Sequence, residues 1–194
     1  FAQVMQRVAG VVRAVEPHDS VERYTGLGVD VVIGRARITS PWHVEITKDD
    51  GSKQTLASRS IVIATGAAPF VPPLPGIDDV GYLTSDTLWG LREQPKRLVV
   101  LGGGPIGCEL AQSFARLGSA VTQIEMLPRI MIREDEEVSA LAKAALEHDG
   151  VAVLTGHKAL RCERVDGRKF IVVEAAGAEK RIAFHFAART ALPG

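Results

Sequence analysis

The chain has 194 residues, 46% of them hydrophobic, and its 23 basic side chains balance 23 acidic ones to a formal net charge of zero. That composition supports a packed core, and the missing positive field argues against nucleic acid or an anionic membrane as a bulk partner. No apolar run approaches the roughly 20 residues of a membrane span, and no signal peptide precedes the first element.

Phe1, Val4, Met5, Val8, Val12 and Val15 recur at helical spacing and predict an amphipathic helix that Pro17 ends. Because this helix starts at Phe1 without an initiator Met, the chain reads as a piece of a longer protein. Ser20 to Leu27 adds a turn or two. Val29 to Ile33 is a short apolar run rich in β-branched residues that predicts a strand, and Ala36 to Ile38 and His43 to Thr47 predict two more. Asp49-Asp50-Gly51-Ser52 has hairpin-turn chemistry, with Gln54 to Ser58 as the returning strand. Ser60 to Ala64 predicts a buried strand that stops at Thr65-Gly66. Residues 67–79 carry Pro69, Pro72, Pro73 and Pro75, so they form an extended connector. A short helix is expected over Ser85 to Leu91.

Beyond a boundary near Lys96 the pattern changes. Arg97 to Leu101 is a buried strand and Pro105 to Leu117 a helix, with Pro in its first turn and Gly118 past its end. Ala120 to Ile124 is a strand, Arg133 to His148 an acid-started helix, and Val151 to Leu154 a strand. Ala159 to Val165 and Phe170 to Glu174 pair around Asp166-Gly167, and a last strand covers Ile182 to Phe186. The alternation predicts an α/β fold, a doubly wound Rossmann-like domain with a β-rich insertion. Cys108 and Cys162 form no CxxC pair, and the five histidines are scattered without ligand spacing. Both cysteines therefore read as reduced thiols, and no metal site is expected.

The chemistry is carried by Gly102-Gly103-Gly104-Pro105-Ile106-Gly107, which contains G-x-G-x-x-G. The first glycine permits a tight turn, the second lets backbone approach a pyrophosphate, and the third lets the helix pack close to the sheet. Phosphates then meet free N–H groups and the positive end of the helix dipole. A glycine turn alone is a weak signal. Here a strand precedes it, a helix follows it, and Glu125 ends the next strand. The carboxylate suits an adenosine ribose and repels a 2′-phosphate. A solvated loop carboxylate, or a methyltransferase turn, would share part of this pattern. On spacing alone Glu109 is a surface helix charge and Cys108 a packing residue.

With these residues in hand, the chain resembles the flavoprotein (pyridine nucleotide) disulfide oxidoreductases, near the dihydrolipoyl dehydrogenase and mercuric reductase branch, over nearly its whole length. Ile61-Val-Ile-Ala-Thr-Gly66 is similar to the strand-ending segment of the family's FAD domain, and Gly34-Arg-Ala-Arg-Ile38 to its G-x-A segment. Thr84-Ser85-Asp86 resembles the link between domains. The glycine turn with its following Glu, and the run from Glu125 to Val138, resemble the NAD domain.

The resemblance implies FAD and NAD as cofactors and hydride transfer between NADH and flavin, with electrons passed to a disulfide or other acceptor. It implies a partial FAD-binding segment with linker over 1–92 and an NAD-binding domain over 93–194. Glu109 is then expected near the flavin and nicotinamide, and Arg35, Ala36, Thr65, Gly66 and Ser85 near FAD. The family's first FAD fingerprint, its Cys-x4-Cys pair and its C-terminal dimerisation domain find no match in the chain. No catalytic residue is therefore assigned, the chain alone is expected to be inactive, and a longer parent is expected to be a cytoplasmic homodimer. His185 stands where the family usually has Asp, Ala188-Arg189 where it has Gly-Arg, and Thr190 to Gly194 departs from the pattern. The rival reading is a non-enzymatic dinucleotide-binding redox sensor, which would bind without transferring electrons.

Overall fold

The structure is a computed structural model and describes residues 1–71 and 73–189, so Pro72 of the connector and Thr190 to Gly194 lie outside the described residues. Backbone contacts divide the chain into one unit of residues 9–67 and another of residues 1–8 and 68 onward.

The first helix, α1 (Ala2–Val15), runs as its spacing predicts, and its early face is anchored by buried Met5. In the smaller unit a 3-10 turn with Pro17 near its start (Glu16–Asp19) follows, then α2 (Val21–Gly26), whose first turn is capped where the Ser20 hydroxyl accepts the Arg23 N–H. Three antiparallel strands come next: β1 (Arg35–Ser40), β2 (His43–Thr47) and β3 (Lys53–Ala57). Gly51 takes φ 79° in the turn between the last two, as the Asp-Gly pair demands. Lys53 and Arg37 both contact Glu45 across the sheet and hold its carboxyl below the usual range, Lys53 contributing most.

Two predicted strands are absent. Val29 to Ile33 and Ser60 to Ala64 run as irregular chain, with Val62 86% and Ile63 72% exposed. β-branched residues favour a strand only where a neighbour completes the ladder and covers the side chains. No strand of the described residues pairs with either segment.

In the larger unit α3 (Ile77–Val80) and β4 (Leu83–Thr84) precede a 3-10 turn over Leu88–Gly90, where a longer helix is predicted. The Thr87 hydroxyl accepts the Thr84 N–H at 2.9 Å, a side-chain competitor that favours a turn over a helix. Then come β5 (Arg97–Leu101), α4 (Pro105–Arg116), β6 (Ala120–Glu125), α5 (Glu136–His148) and β7 (Ala152–Thr155). Next is the antiparallel meander β8 (Lys158–Val165), β9 (Arg168–Ala175), β10 (Ala178–Phe184), and finally β11 (Phe186–Arg189). The parallel sheet has order β4-β11-β5-β6-β7. The single predicted last strand is thus two. At His185 the chain leaves its antiparallel partner β9 and enters a parallel ladder with β5.

Alternation along β5 builds two cores. Leu98 and Val100 pack with Leu110, Ala111 and Phe114 of α4 and Leu146 of α5. Val99 faces the other way, onto Ile171, Val173 and Phe184 of the meander. α4 and α5 therefore cover one face, and the β-meander with the short α3 covers the other, so the α/β class holds and the second layer is mostly β where a doubly wound sheet would carry helices. At the far end of α4, Asp149 accepts from Arg116 and Gln112, and these bonds, Arg116 first, hold its carboxyl low.

The connector docks through Gly76. It has φ 75°, a Cβ there would overlap the Cys162 carbonyl oxygen, and the Cys162 N–H donates to the Pro75 carbonyl at 2.7 Å. Gly76→Ala should therefore cost about 2 kcal/mol or more. Gly81→Ala, at a similar φ with no atom near the new methyl group, should cost only about 1 kcal/mol. Urea unfolding of both variants checks this; equal midpoints would mean that the docking contact contributes nothing.

Candidate functional site

β5 delivers the chain to the glycine turn at the C-terminal end of the parallel sheet. Gly102 turns out of the strand with φ 116°. Its N–H donates to the Ile124 carbonyl at 2.9 Å, and its own carbonyl accepts the Gln123 side-chain amide at 3.0 Å. Gly103 is the point of closest approach: its N–H donates to Glu125 Oε2 at 2.6 Å. A Cβ on Gly103 would lie 2.9 Å from both Cγ and Oε2 of Glu125 and 3.0 Å from Ile130. Glu125 Oε1 accepts the Leu127 N–H at 2.8 Å, so both carboxylate oxygens are held by backbone.

Gly104 is extended, φ −74° and ψ 176°, and a Cβ there would meet no atom within 4 Å. That open space lies at the start of α4. Pro105 has no N–H to offer, and the first amide bonded back to the turn is that of Cys108, to the Gly104 carbonyl at 3.0 Å. The amides of Ile106 and Gly107 precede it and belong to the donor set that a helix N-terminus presents to an anion. Gly107 is buried in the first turn, where it brings the helix close to the sheet.

A cleft of about 430 Å³ opens over this turn, walled by Gly102 to Ile106, by Glu125 and by Met131 to Glu134. The far wall was not foreseen as part of the site, although it falls within the 125–138 run that the sequence singles out. It is pinned to the glycine turn by the Met131 N–H, which donates to the Gly103 carbonyl at 2.7 Å and places Met131 at φ 48°. Arg129 braces the loop from within by donating to the Glu134 carbonyl at 2.7 Å, and Ser139 Oγ donates to the Ile130 carbonyl at 2.7 Å. These local bonds also explain why α5 begins at Glu136, later than predicted: residues 133–135 belong to the loop.

Of the predicted site residues, Gly102, Gly103, Gly104, Pro105, Ile106 and Glu125 share this cleft. Glu109 is exposed on α4 and lines a separate hollow of about 180 Å³ with Cys108, Gln112 and Met131. Arg35 and Ala36 are exposed on β1, and Thr65 and Gly66 are exposed on the irregular segment after β3. Ser85 is half-buried in the turn after β4. None of these five lines the cleft.

Cys108 is a packing residue beneath the turn. Its thiol donates to the Gly103 carbonyl at 3.5 Å, and burial, reinforced by Glu125 and Glu109, pushes its pKa up against the opposing bond from Gln123. A thiol so placed is protonated at neutral pH and is a poor nucleophile. Among the described residues no cluster of His, Cys, Asp and Glu could hold a metal ion, and no helix is long and apolar enough to cross a membrane.

With this geometry in hand, comparison with known proteins is informative. The family model described as pyridine nucleotide-disulphide oxidoreductase matches residues 2–189. Mercuric reductase from Streptomyces lividans is 40% identical over 150 residues, which cover 75% of this chain and 31% of that protein. Dihydrolipoyl dehydrogenase from Chlorobaculum tepidum is 39% identical over 132 residues, covering 67% of this chain and 28% of its own length. Among solved structures, the Cu(II) complex of a cysteine-to-serine mutant of RclA, the HOCl-induced flavoprotein disulfide reductase from Escherichia coli, superposes with a TM-score of 0.83. It is 26% identical, and the match covers 98% of this chain and 42% of that one. The chain thus spans about a third of the length of the curated relatives it matches.

The contact between Gly103 and Glu125 leaves no room for a methyl group. Gly103→Ala should displace the carboxylate and cost about 1–3 kcal/mol, as overpacking does. The amide resonances of Gly103 and Leu127 should both move. An alanine variant with unchanged stability and an unchanged Leu127 amide would show that the contact is not a constraint.

Proposed function

This chain belongs to the pyridine nucleotide-disulphide oxidoreductase family, and on that premise we propose that the cleft over Gly104 binds NAD(H). The observation that carries the proposal is Glu125, aligned by two backbone N–H groups on the wall of a cleft whose floor is an open glycine at a helix start. Gly102, Gly103 and Gly104 would bring backbone against the pyrophosphate, with Pro105, Ile106 and Gly107 presenting the helix N-terminus to its charge. Each Glu125 oxygen accepts one N–H and retains capacity for a ribose hydroxyl. The same carboxylate opposes a 2′-phosphate.

We place the chain within a longer FAD-dependent enzyme, with 93–194 as the NAD-binding lobe and 1–92 on the flavin side. In such an enzyme hydride would pass between NADH and FAD, and the electrons would go on to a disulfide or other acceptor. The flavin supplies the two-electron redox chemistry, while the protein binds and orients. Arg35, Ala36, Thr65, Gly66 and Ser85 are the proposed flavin neighbours, and Glu109 is proposed to lie near the reacting rings. Family membership supports these six assignments. A cytoplasmic homodimer is the proposed setting. The reductase relatives favour electron transfer over a sensor that only binds.

Titration with NADH and NADPH at one ionic strength should give about tenfold tighter NADH binding or more, the scale of one repulsive like-charge contact. Glu125→Gln should narrow that gap. Equal or tighter NADPH binding by the unmodified chain would remove Glu125 from the ribose role.

Gly104→Val should fill the open floor and cut NADH affinity by about tenfold or more, with a stability loss near 1 kcal/mol from the poorer helix cap. Calorimetric titration beside thermal unfolding tests this. A folded variant with undiminished affinity would reduce the glycine to a structural turn.

A further inference from the structure

At the opposite end of the parallel sheet, where β5 and β11 begin, lies a third and larger cavity of about 740 Å³. Its lining carries Lys96, Arg97, Arg168, Lys169 and His185, and no carboxylate. In a chain of zero net charge this is a marked local excess of positive charge. Among the described residues, none of these four Lys and Arg side chains enters an ion pair.

Two of the basic groups are aimed by backbone. His185 Nδ1 accepts the Arg97 N–H at 3.1 Å, so the neutral ring carries its proton on Nε2, free to donate. Lys169 Nζ spends one N–H on the His185 carbonyl at 3.2 Å and keeps two. Its ammonium also lies 5.4 Å from the centroid of the Phe186 ring. Burial, and the nearby Arg164, lower the Lys169 pKa, and an anion in the cavity would offset that cost. Phe186, Ala183 and Ala120 add apolar surface beside the charges.

We propose that this cavity is a binding site for a small organic phosphate, distinct from the cleft at the glycine turn. Two arginines and two lysines suit the higher charge and the three terminal oxygens of a phosphate better than the single charge of one carboxylate, and each guanidinium can take two of those oxygens. The aromatic and alanine surface accommodates the apolar part of the ligand. The volume falls within the roughly 300–1,000 Å³ of small-molecule sites. Nothing in this inference depends on the dinucleotide reading.

The test uses inorganic pyrophosphate and phenyl phosphate as probes on the full chain, with amide shifts followed by NMR. We expect shifts at Arg97, Lys169, His185 and Phe186, binding that weakens with salt, and tighter binding of phenyl phosphate than of inorganic phosphate titrated as a reference. Arg168→Ser with Lys169→Gln should weaken both probes about tenfold or more, the loss expected of charge-assisted hydrogen bonds. Gly104→Val should leave these shifts intact, which separates the cavity from the glycine turn. If the double variant does not fold, the map on the unmodified chain and His185→Asp, expected to weaken binding, decide alone. Shifts confined to residues 102–107, or no shift at residues 97, 169, 185 and 186 in the millimolar range of either probe, would overturn the proposal.

Discussion

The site depends on a single close approach, between the backbone of Gly103 and the carboxylate of Glu125. β5 and β6 are parallel neighbours in register from Arg97 with Ala120 to Leu101 with Ile124. That register brings the last residue of β6, Glu125, beside the turn that leaves β5, and the 2.6 Å bond from the Gly103 N–H to its carboxylate closes the approach. Once it is made, Glu125 is oriented before any ligand arrives, and the loop through Met131 has a carbonyl on the turn to bind. Pre-orientation matters energetically because a side chain already held in one rotamer loses little freedom on binding. Absence of a side chain at Gly103 is thus a requirement of the protein itself, whereas at Gly104 the space is open toward solvent.

The two-faced sheet explains why the cleft lies where it does. Helices α4 and α5 occupy one face and the β8–β10 meander the other, so the strand ends are the free edges of the layer structure. Open α/β sheets bind ligands outside the carboxyl ends of their strands for this reason. The glycine turn stands at that end. The basic cavity stands at the amino end, where His185 links the meander to the sheet.

Much of this was legible in the sequence. β5, α4, β6 and β7 follow from apolar runs, a Pro at a helix start and glycines past helix ends, and each is a segment whose neighbours are also in the chain. The two missing strands share a cause. Val29 to Ile33 and Ser60 to Ala64 have strand composition, yet a strand needs a partner, and no described strand lies beside either. The clamp formed by Arg129, Met131 and Ser139 was invisible because it runs through main-chain carbonyls, which any residue type can supply. His185 stood out as a departure from the family pattern. Only the structure shows its ring accepting from the first residue of a strand 88 positions earlier.

The place of β11 has a consequence for the order in which the larger unit can be assembled. Strands β5, β6 and β7 are contiguous in the sheet and in sequence, and can pair as soon as they are synthesised. β4 reaches β5 only through β11, the last strand of the described chain, which slots between them. Until residues 186–189 emerge from the ribosome, both flanking strands have an open ladder. The keystone of the sheet is therefore its youngest segment, and closing it joins residues of high sequence separation, the kind of contact that sets a slow step in folding.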